Sequence, residues 1–176
     1  EALTDTVAAA LAACCAGARL HFVTHSLGGI LVRAYAAEHG AERIGRVVML
    51  SPPNHGSEVV DRLEGVPFLE RVLGPAAVQL GTGDGVPDLL GPPEFELGII
   101  TGDASLNPLF SWWIPGPDDG KVSVASARLE GADDFLVLPA NHTFIMREDE
   151  VVRQILAFLE TGAFTDPEEE DGPVRD

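Results

Sequence analysis

Three residues of this sequence have the types and the chain order needed for nucleophilic attack on an acyl carbon: Ser26, Asp119 and His142. A serine hydroxyl is a poor nucleophile until a positioned base takes its proton, and that base needs a group to fix its orientation. Ser26 stands between the apolar run from Leu20 to Thr24 and the small pair Gly28-Gly29. A serine at a sharp strand-to-helix turn has its hydroxyl held out beyond the sheet, and small residues must follow because the strand and helix backbones approach closely there. The N–H of Leu27 then lies at a helix N-terminus, aimed where an oxyanion would develop, and supplies one oxyanion-hole donor. His142 falls in the loop before the last helix, and Asp119 in the turn Pro117-Asp118-Asp119-Gly120. Asp-Asp-Gly is also an ordinary turn signal. Asp118 and Asp103 compete with Asp119 for the acid, and His55, at a strand exit, is the rival to His142 for the base.

These residues matter only if the elements around them bring them together. Apolar groups at Leu3, Val7, Leu11 and Cys14 or Cys15 predict an opening helix over 3–16, stopped by Gly17. Leu20 to Thr24 is too short for a helix and apolar enough for a strand buried on both faces. Helical spacing resumes at Leu27, Ile30, Leu31, Ala34 and Tyr35 and ends at Gly40, and Arg43 to Leu50 reads as a second buried strand. Residues 54–91 are irregular, with helices expected near Ser57 to Leu63 and Phe68 to Leu73. Further strands are expected at Phe95 to Thr101 and Phe135 to Leu138, with an extended stretch from Lys121 to Ala127 between them. Glu148 to Thr161 is a final helix with Val151, Val152, Ile155, Leu156, Phe158 and Leu159 on its apolar side, acidic residues at its start and Gly162 at its exit. Alternation of strands and helices predicts an α/β fold, a mostly parallel sheet with helices on both faces, whose ligands bind beyond the carboxyl ends of the strands. Ser26, Ser51 to His55, Gly102 to Asp103 and His142 all follow strands.

Composition narrows the function classes. Eleven Lys and Arg against 28 Asp and Glu give a formal charge of −17, and Lys121 is the only lysine. A nucleic-acid binder needs a basic face, so nucleic acid is excluded as a partner, and an anionic membrane surface is disfavoured. The acidic segment from Asp166 onward carries six acids and one arginine, so 165–176 is expected to be a disordered tail. No apolar run reaches the roughly 18 residues of a membrane span and no signal-peptide pattern is present; the compartment is not legible in the sequence, with the cytoplasm as the default expectation. Cys14 and Cys15 are adjacent in the predicted helix and are expected to be small hydrophobes, not an ordinary disulfide. The five histidines show no metal-binding spacing, so no metal and no cofactor are expected.

Thr24-His25-Ser26-Leu27-Gly28-Gly29 resembles the nucleophile elbow of bacterial lipases and esterases of the α/β-hydrolase superfamily, with Thr24 where the pattern has its first glycine. Ser51-Pro52-Pro53-Asn54-His55-Gly56-Ser57 is similar to that family's Pro-x-x-Gly-Ser segment, Asp118-Asp119-Gly120-Lys121-Val122 to its acid loop, and Asn141-His142-Thr143 to its histidine loop. The order serine, acid, histidine is also the α/β-hydrolase order among convergent triads. The resemblance implies a catalytic domain over 1–164, a triad of Ser26, Asp119 and His142 with Leu27 in the oxyanion hole, and hydrolysis of small-molecule or lipid carboxylic esters through an acyl-enzyme. It also implies a His-Gly loop after an earlier strand, which supplies a second oxyanion donor. No such segment precedes Leu20, so the chain is expected to be an N-terminally incomplete form of the fold, weakly active at best, with the Leu20 to Thr24 strand lacking neighbours on one side. Residues 57–91 stand where these enzymes carry a cap, or form a connecting layer of helices. Phe110, Trp112, Trp113 and Ile114 either line an acyl pocket or pack in the core. A non-catalytic binding protein on the same scaffold and an acyltransferase or thioesterase with the same triad are the rival functions; oligomeric state is not legible.

Overall fold

The computed structural model describes residues 2–56, 86–106 and 111–166. The helices expected at 57–63 and 68–73, most of the 57–91 segment, Phe110 and the tail beyond Asp166 lie outside them. The described elements are α1 (Ala2–Cys15), β1 (Leu20–His25), α2 (Leu27–His39), β2 (Ile44–Leu50), α3 (Val86–Leu89), β3 (Leu97–Gly102), α4 (Val124–Ala127), β4 (Asp134–Leu138), a 3-10 turn (Ile145–Arg147) and α5 (Asp149–Thr161). The four strands pair in parallel in the order β1-β2-β3-β4, with Val23 opposite Val48, Val48 opposite Gly98 and Gly98 opposite Asp134. All carboxyl ends therefore lie on one side of the sheet.

Strand alternation sends residues to two faces. Val47, Met49, Leu97 and Ile99 pack under α1 and α2, against Val32, Tyr35, Val7 and Leu11. Val48, Leu50, Ile100 and Leu138 pack under α5, against Val151, Phe158 and Ile145. β2 and β3 are buried on both faces, as their unbroken apolar runs require. β1 is not: its burial alternates, and Val23 is 48% exposed. The expectation of a strand buried on both faces fails because β1 is the edge of the described sheet and α5 packs over its inner neighbours.

Four local expectations need correction. In α1 the inward positions are Thr4, Val7, Ala8 and Leu11, with Leu3 exposed. In α5, Val152 and Leu156 are exposed, while Gln154 is buried. Its amide donates to the Thr165 carbonyl at 3.0 Å and accepts the Thr165 N–H at 2.9 Å, which fastens the chain after the helix. The stretch from Lys121 to Ala127 is not extended throughout. It ends in α4, because the Ser123 hydroxyl caps the turn by accepting the Ser126 N–H at 3.0 Å. Cys14 and Cys15 are joined in a vicinal disulfide at the end of α1, not left as two free hydrophobes.

A buried polar network ties the connections to this frame. Arg33 of α2, 4% exposed, donates to Asn54 Oδ1 at 3.1 Å and to the carbonyls of Pro87 and Leu90 at 3.0 and 2.6 Å. Asn54 in turn donates to the Ala127 carbonyl at 2.9 Å. One side chain thus links α2, the segment after β2, and α3, and Asn54 extends the link to α4.

On the α5 face, the Phe158 ring lies against Gly98, where an added Cβ would meet it at 2.7 Å. Phe158 is fully buried between the sheet and Phe164, whose ring is 5.1 Å away. Phe158→Ala is therefore expected to cost about 3–5 kcal/mol, read as a lower midpoint in urea denaturation; an unchanged midpoint would contradict this packing.

Candidate active site

The residues singled out in the sequence lie on connections beyond the carboxyl ends of the strands. Ser26 directly follows β1 and opens α2 at φ 54° and ψ −125°, a conformation L-residues rarely adopt. Its N–H donates to the Leu50 carbonyl at 2.8 Å and its carbonyl accepts the Gly29 N–H at 3.1 Å, so hydrogen bonds on both sides hold the turn. Such strain costs of order 1–3 kcal/mol and persists only where the surroundings over-determine it. Gly29 lets the turn close: a Cβ there would come 2.9 Å from Met49 Sδ and 3.2 Å from Pro52. Leu27 is the first residue of α2, where backbone N–H groups have no partner within the helix.

At the same end of the sheet, Asp119 and His142 form a buried pair. Asp119 is 2% and His142 3% exposed, and His142 Nδ1 lies 2.8 Å from Asp119 Oδ2. A carboxylate only accepts, so Nδ1 carries a proton, and Nε2 is the ring nitrogen not engaged by the acid. Asp119 Oδ1 accepts the N–H groups of Lys121 and Val122 at 3.0 and 2.9 Å. The main chains are joined as well, with the His142 N–H donating to the Asp119 carbonyl at 2.9 Å. Burial is the largest influence on the Asp119 carboxyl and pushes its pKa up. The hydrogen bond and charge of His142, the nearby Ser51 hydroxyl and the Val122 N–H outweigh it together and hold the pKa below the ordinary 3.8.

The competitors have other positions. Asp118 is buried too, but its Oδ1 accepts from the Ser111 hydroxyl at 2.8 Å and the Gly120 N–H at 2.7 Å, which makes it the brace of the turn. Asp103 is exposed, as is His55, whose N–H donates to the Ser126 carbonyl at 3.2 Å. Asp119 is thus paired with His142, not with His55. Within the apolar cluster, Ile114 is buried and Trp112 is 82% exposed, so the two do not act as one packing unit.

Two residues at the site were not given roles in the sequence. His25, last in β1 and directly before Ser26, donates from Nε2 to the His142 carbonyl at 2.9 Å, and the two rings are 4.8 Å apart. Its signal was adjacency to the serine. Ser51, first after β2, is fully buried with φ 47° and lies close enough to favour the ionised Asp119, although its hydroxyl makes no hydrogen bond of full geometry. Its signal was equivalence: it follows its strand as Ser26 follows the neighbouring one. Among the described residues the Ser26 hydroxyl makes no hydrogen bond to His142, whose link to β1 runs through His25. No group of three or more His, Cys, Asp or Glu among them is arranged to hold a metal ion, and no helix among them is long and apolar enough to cross a membrane.

Gly102, at the end of β3, sits where a Cβ would collide with the Ala140 carbonyl oxygen and lie 3.1 Å from Asp119 Cβ. Gly102→Ala should cost at least about 1–3 kcal/mol by forcing the loops of Asp119 and His142 away from the strand, and an unaltered urea midpoint would refute the close approach. Because the Asp119 pKa is depressed, its ionised form stabilises the fold above the ordinary aspartate value, and this contribution is lost as the pH falls through the lower folded pKa. The stability gap between the wild type and Asp119→Asn should be widest at neutral pH and should close on acidification; urea titrations showing a gap independent of pH would count against an ionised buried Asp119.

No protein-family model matches this sequence, and no curated protein does. Solved structures do resemble it. A lipase of Bacillus licheniformis, BlEst2 in its mature form, superposes with a TM-score of 0.62 at 19% identity over 91% of this chain and 71% of that one. The metagenomic carboxyl esterase MGS0156 gives 0.61 at 19% identity, over 81% and 50%. Phospholipase PlaB of Legionella pneumophila gives 0.59 at 18% identity, over 71% and 33%. The chain thus spans from a third to somewhat over two thirds of these proteins. The parallel sheet with helices on both faces and the agreement with these structures give the same result: the chain has the α/β-hydrolase fold.

Proposed function

We propose that this protein is a serine hydrolase that cleaves carboxylic esters through an acyl-enzyme, with Ser26 as nucleophile, His142 as general base and Asp119 as the orienting acid. The observation that carries this reading is the buried Asp119–His142 pair, in which the acid engages Nδ1 and leaves Nε2 as the nitrogen to serve Ser26, while His25 joins the base to the strand that leads into Ser26. In the first step the Ser26 hydroxyl attacks the ester carbonyl carbon and its proton passes to His142 Nε2. Asp119 stabilises the imidazolium that forms, and the Leu27 N–H donates to the carbonyl oxygen as it becomes negative. The imidazolium then gives its proton to the departing alkoxide, leaving Ser26 acylated. Water attacks the acyl group with His142 again taking a proton, and the acid leaves as Ser26 regains its hydrogen.

The strained backbone of Ser26 supports the same reading, because sparsely populated conformations of this kind cluster at functional sites. The similarity to a lipase, a carboxyl esterase and a phospholipase makes an ester the first substrate class to test.

A fluorophosphonate probe should label the wild-type chain at Ser26 and fail to label Ser26→Ala. Asp119→Asn should retain the fold near neutral pH yet react roughly 10³–10⁴-fold more slowly, because the amide no longer fixes the tautomer of the base. Labelling at another residue, or equal labelling of Ser26→Ala, would refute the assignment.

A further inference from the structure

We propose that His25 is a positioning residue for the base: its Nε2–H, donated to the main-chain carbonyl of His142, fixes the histidine loop relative to the strand that carries Ser26. The inference rests on the triad reading above and adds to it the device that keeps base and nucleophile in register.

Three observations carry it. The first is the bond itself, 2.9 Å between residues 117 positions apart in sequence. A carbonyl oxygen only accepts, so His25 holds its proton on Nε2. The second is what the bond spans. β1 and β4 are the two outer strands of the described sheet, so the loop after β4 must reach back over β3 and β2 to meet Ser26. The contacts of His142 with Asp119, ring Nδ1 to carboxylate and N–H to carbonyl, all tie it to the acid loop. A residue held only there would be free to pivot about that side. The His25 bond adds a fixed point on the nucleophile's side, and since His25 and Ser26 are consecutive, the register of one sets the register of the other.

The third observation is the state of the ring. His25 is partly buried and faces His142 at a centroid distance of 4.8 Å, with the planes tilted by 51°. Burial above all, then the neighbouring His142 and Lys121, lowers the His25 pKa, against the opposing effects of the bond to the His142 carbonyl and of Asp119. His25 is accordingly neutral at neutral pH and acts as a single-proton donor, which avoids a second positive charge beside the imidazolium formed during the reaction.

Two substitutions separate the hydrogen bond from the ring contact. His25→Phe keeps an aromatic ring against His142 and removes the donor; His25→Gln removes the ring and keeps an N–H near the Nε2 position. With a chromogenic ester, His25→Phe should lower kcat roughly ten- to a hundredfold with KM little changed, and His25→Gln should recover most of it. A second readout does not need turnover: the hydrogen-bonded Nδ1 proton of His142, observed by NMR, should persist in the wild type and His25→Gln and broaden by exchange in His25→Phe. Undiminished kcat and an unchanged proton signal in His25→Phe would overturn the proposal. Equal losses in both variants would overturn it too, by assigning His25 a packing role. If the wild type fails to react with the fluorophosphonate while the proton signal still divides the variants in this way, the triad reading falls and the positioning role stands.

Discussion

Burying a carboxylate away from water is affordable only when its oxygens and its charge are met by partners, and Asp119 is the buried anion around which the loops of this protein are arranged. Its Oδ2 is met by His142 at 2.8 Å and its Oδ1 by two backbone N–H groups at 3.0 and 2.9 Å. Each partner belongs to a segment that must therefore stay in place. The two N–H groups require the tight turn after Gly120, which Asp118 braces from within and Ser111 from outside. The histidine requires the loop after β4 to fold down onto the acid loop, which it does through a main-chain hydrogen bond as well as through its ring. That approach leaves no room for a side chain at Gly102. Removing any one of these contacts would expose an unsatisfied charge to an interior that solvates it poorly.

Parallel pairing does the rest of the positioning. Because β1 to β4 all run the same way, the residues that leave them emerge on one side, and neighbouring strands end in neighbouring turns. Ser26 and Ser51 show this most clearly. They follow adjacent strands, both have positive φ, and each N–H donates to a carbonyl of the next strand in the sheet, Leu50 for Ser26 and Ile100 for Ser51. The sheet thus holds two strained turns side by side, one at Ser26 and one beside Asp119. Away from the sheet, Arg33 and Asn54 perform the corresponding task for the connections, with hydrogen bonds that only a specific arrangement of α2, α3 and α4 satisfies.

Much of the frame was legible in the residue order because it depends on local periodicity. The short runs Val47-Val48-Met49-Leu50 and Leu97 to Ile100, bounded by turn signals and rich in β-branched residues, read as strands buried on both faces, and β2 and β3 are so buried. Gly17, Gly40 and Gly162 end helices because their positive φ favours the residue without a Cβ. The misreadings arose where long-range contacts decide. Val23, Leu3, Val152 and Leu156 are apolar and exposed, whereas Thr4 and Gln154 are polar and buried. Which stripe of a helix faces inward depends on what stands opposite, and the composition of the helix does not contain that. Ser123 turned an expected extended stretch into a helical turn through a single cap.

The candidate site divides along the same line. Residue types and their order pointed to Ser26, to His142 and to an acid in the turn at Asp118-Asp119, because a serine between a strand and two glycines, followed by an acid and a histidine after later strands, is the order a nucleophilic triad requires. The choice between Asp119 and Asp118 could not be made that way. Adjacent residues with identical side chains differ only in the direction they point, and it is the turn, closed by the Gly120 N–H on Asp118, that aims the next carboxylate at His142. The same holds for His25, which in the sequence is a neighbour of the serine and in the fold a neighbour of a residue 117 positions away. Local propensity is written in the order of the residues; pairing across the sheet exists only once the strands have assembled, because a hydrogen bond of fixed length and direction is specified by where two backbones come to rest.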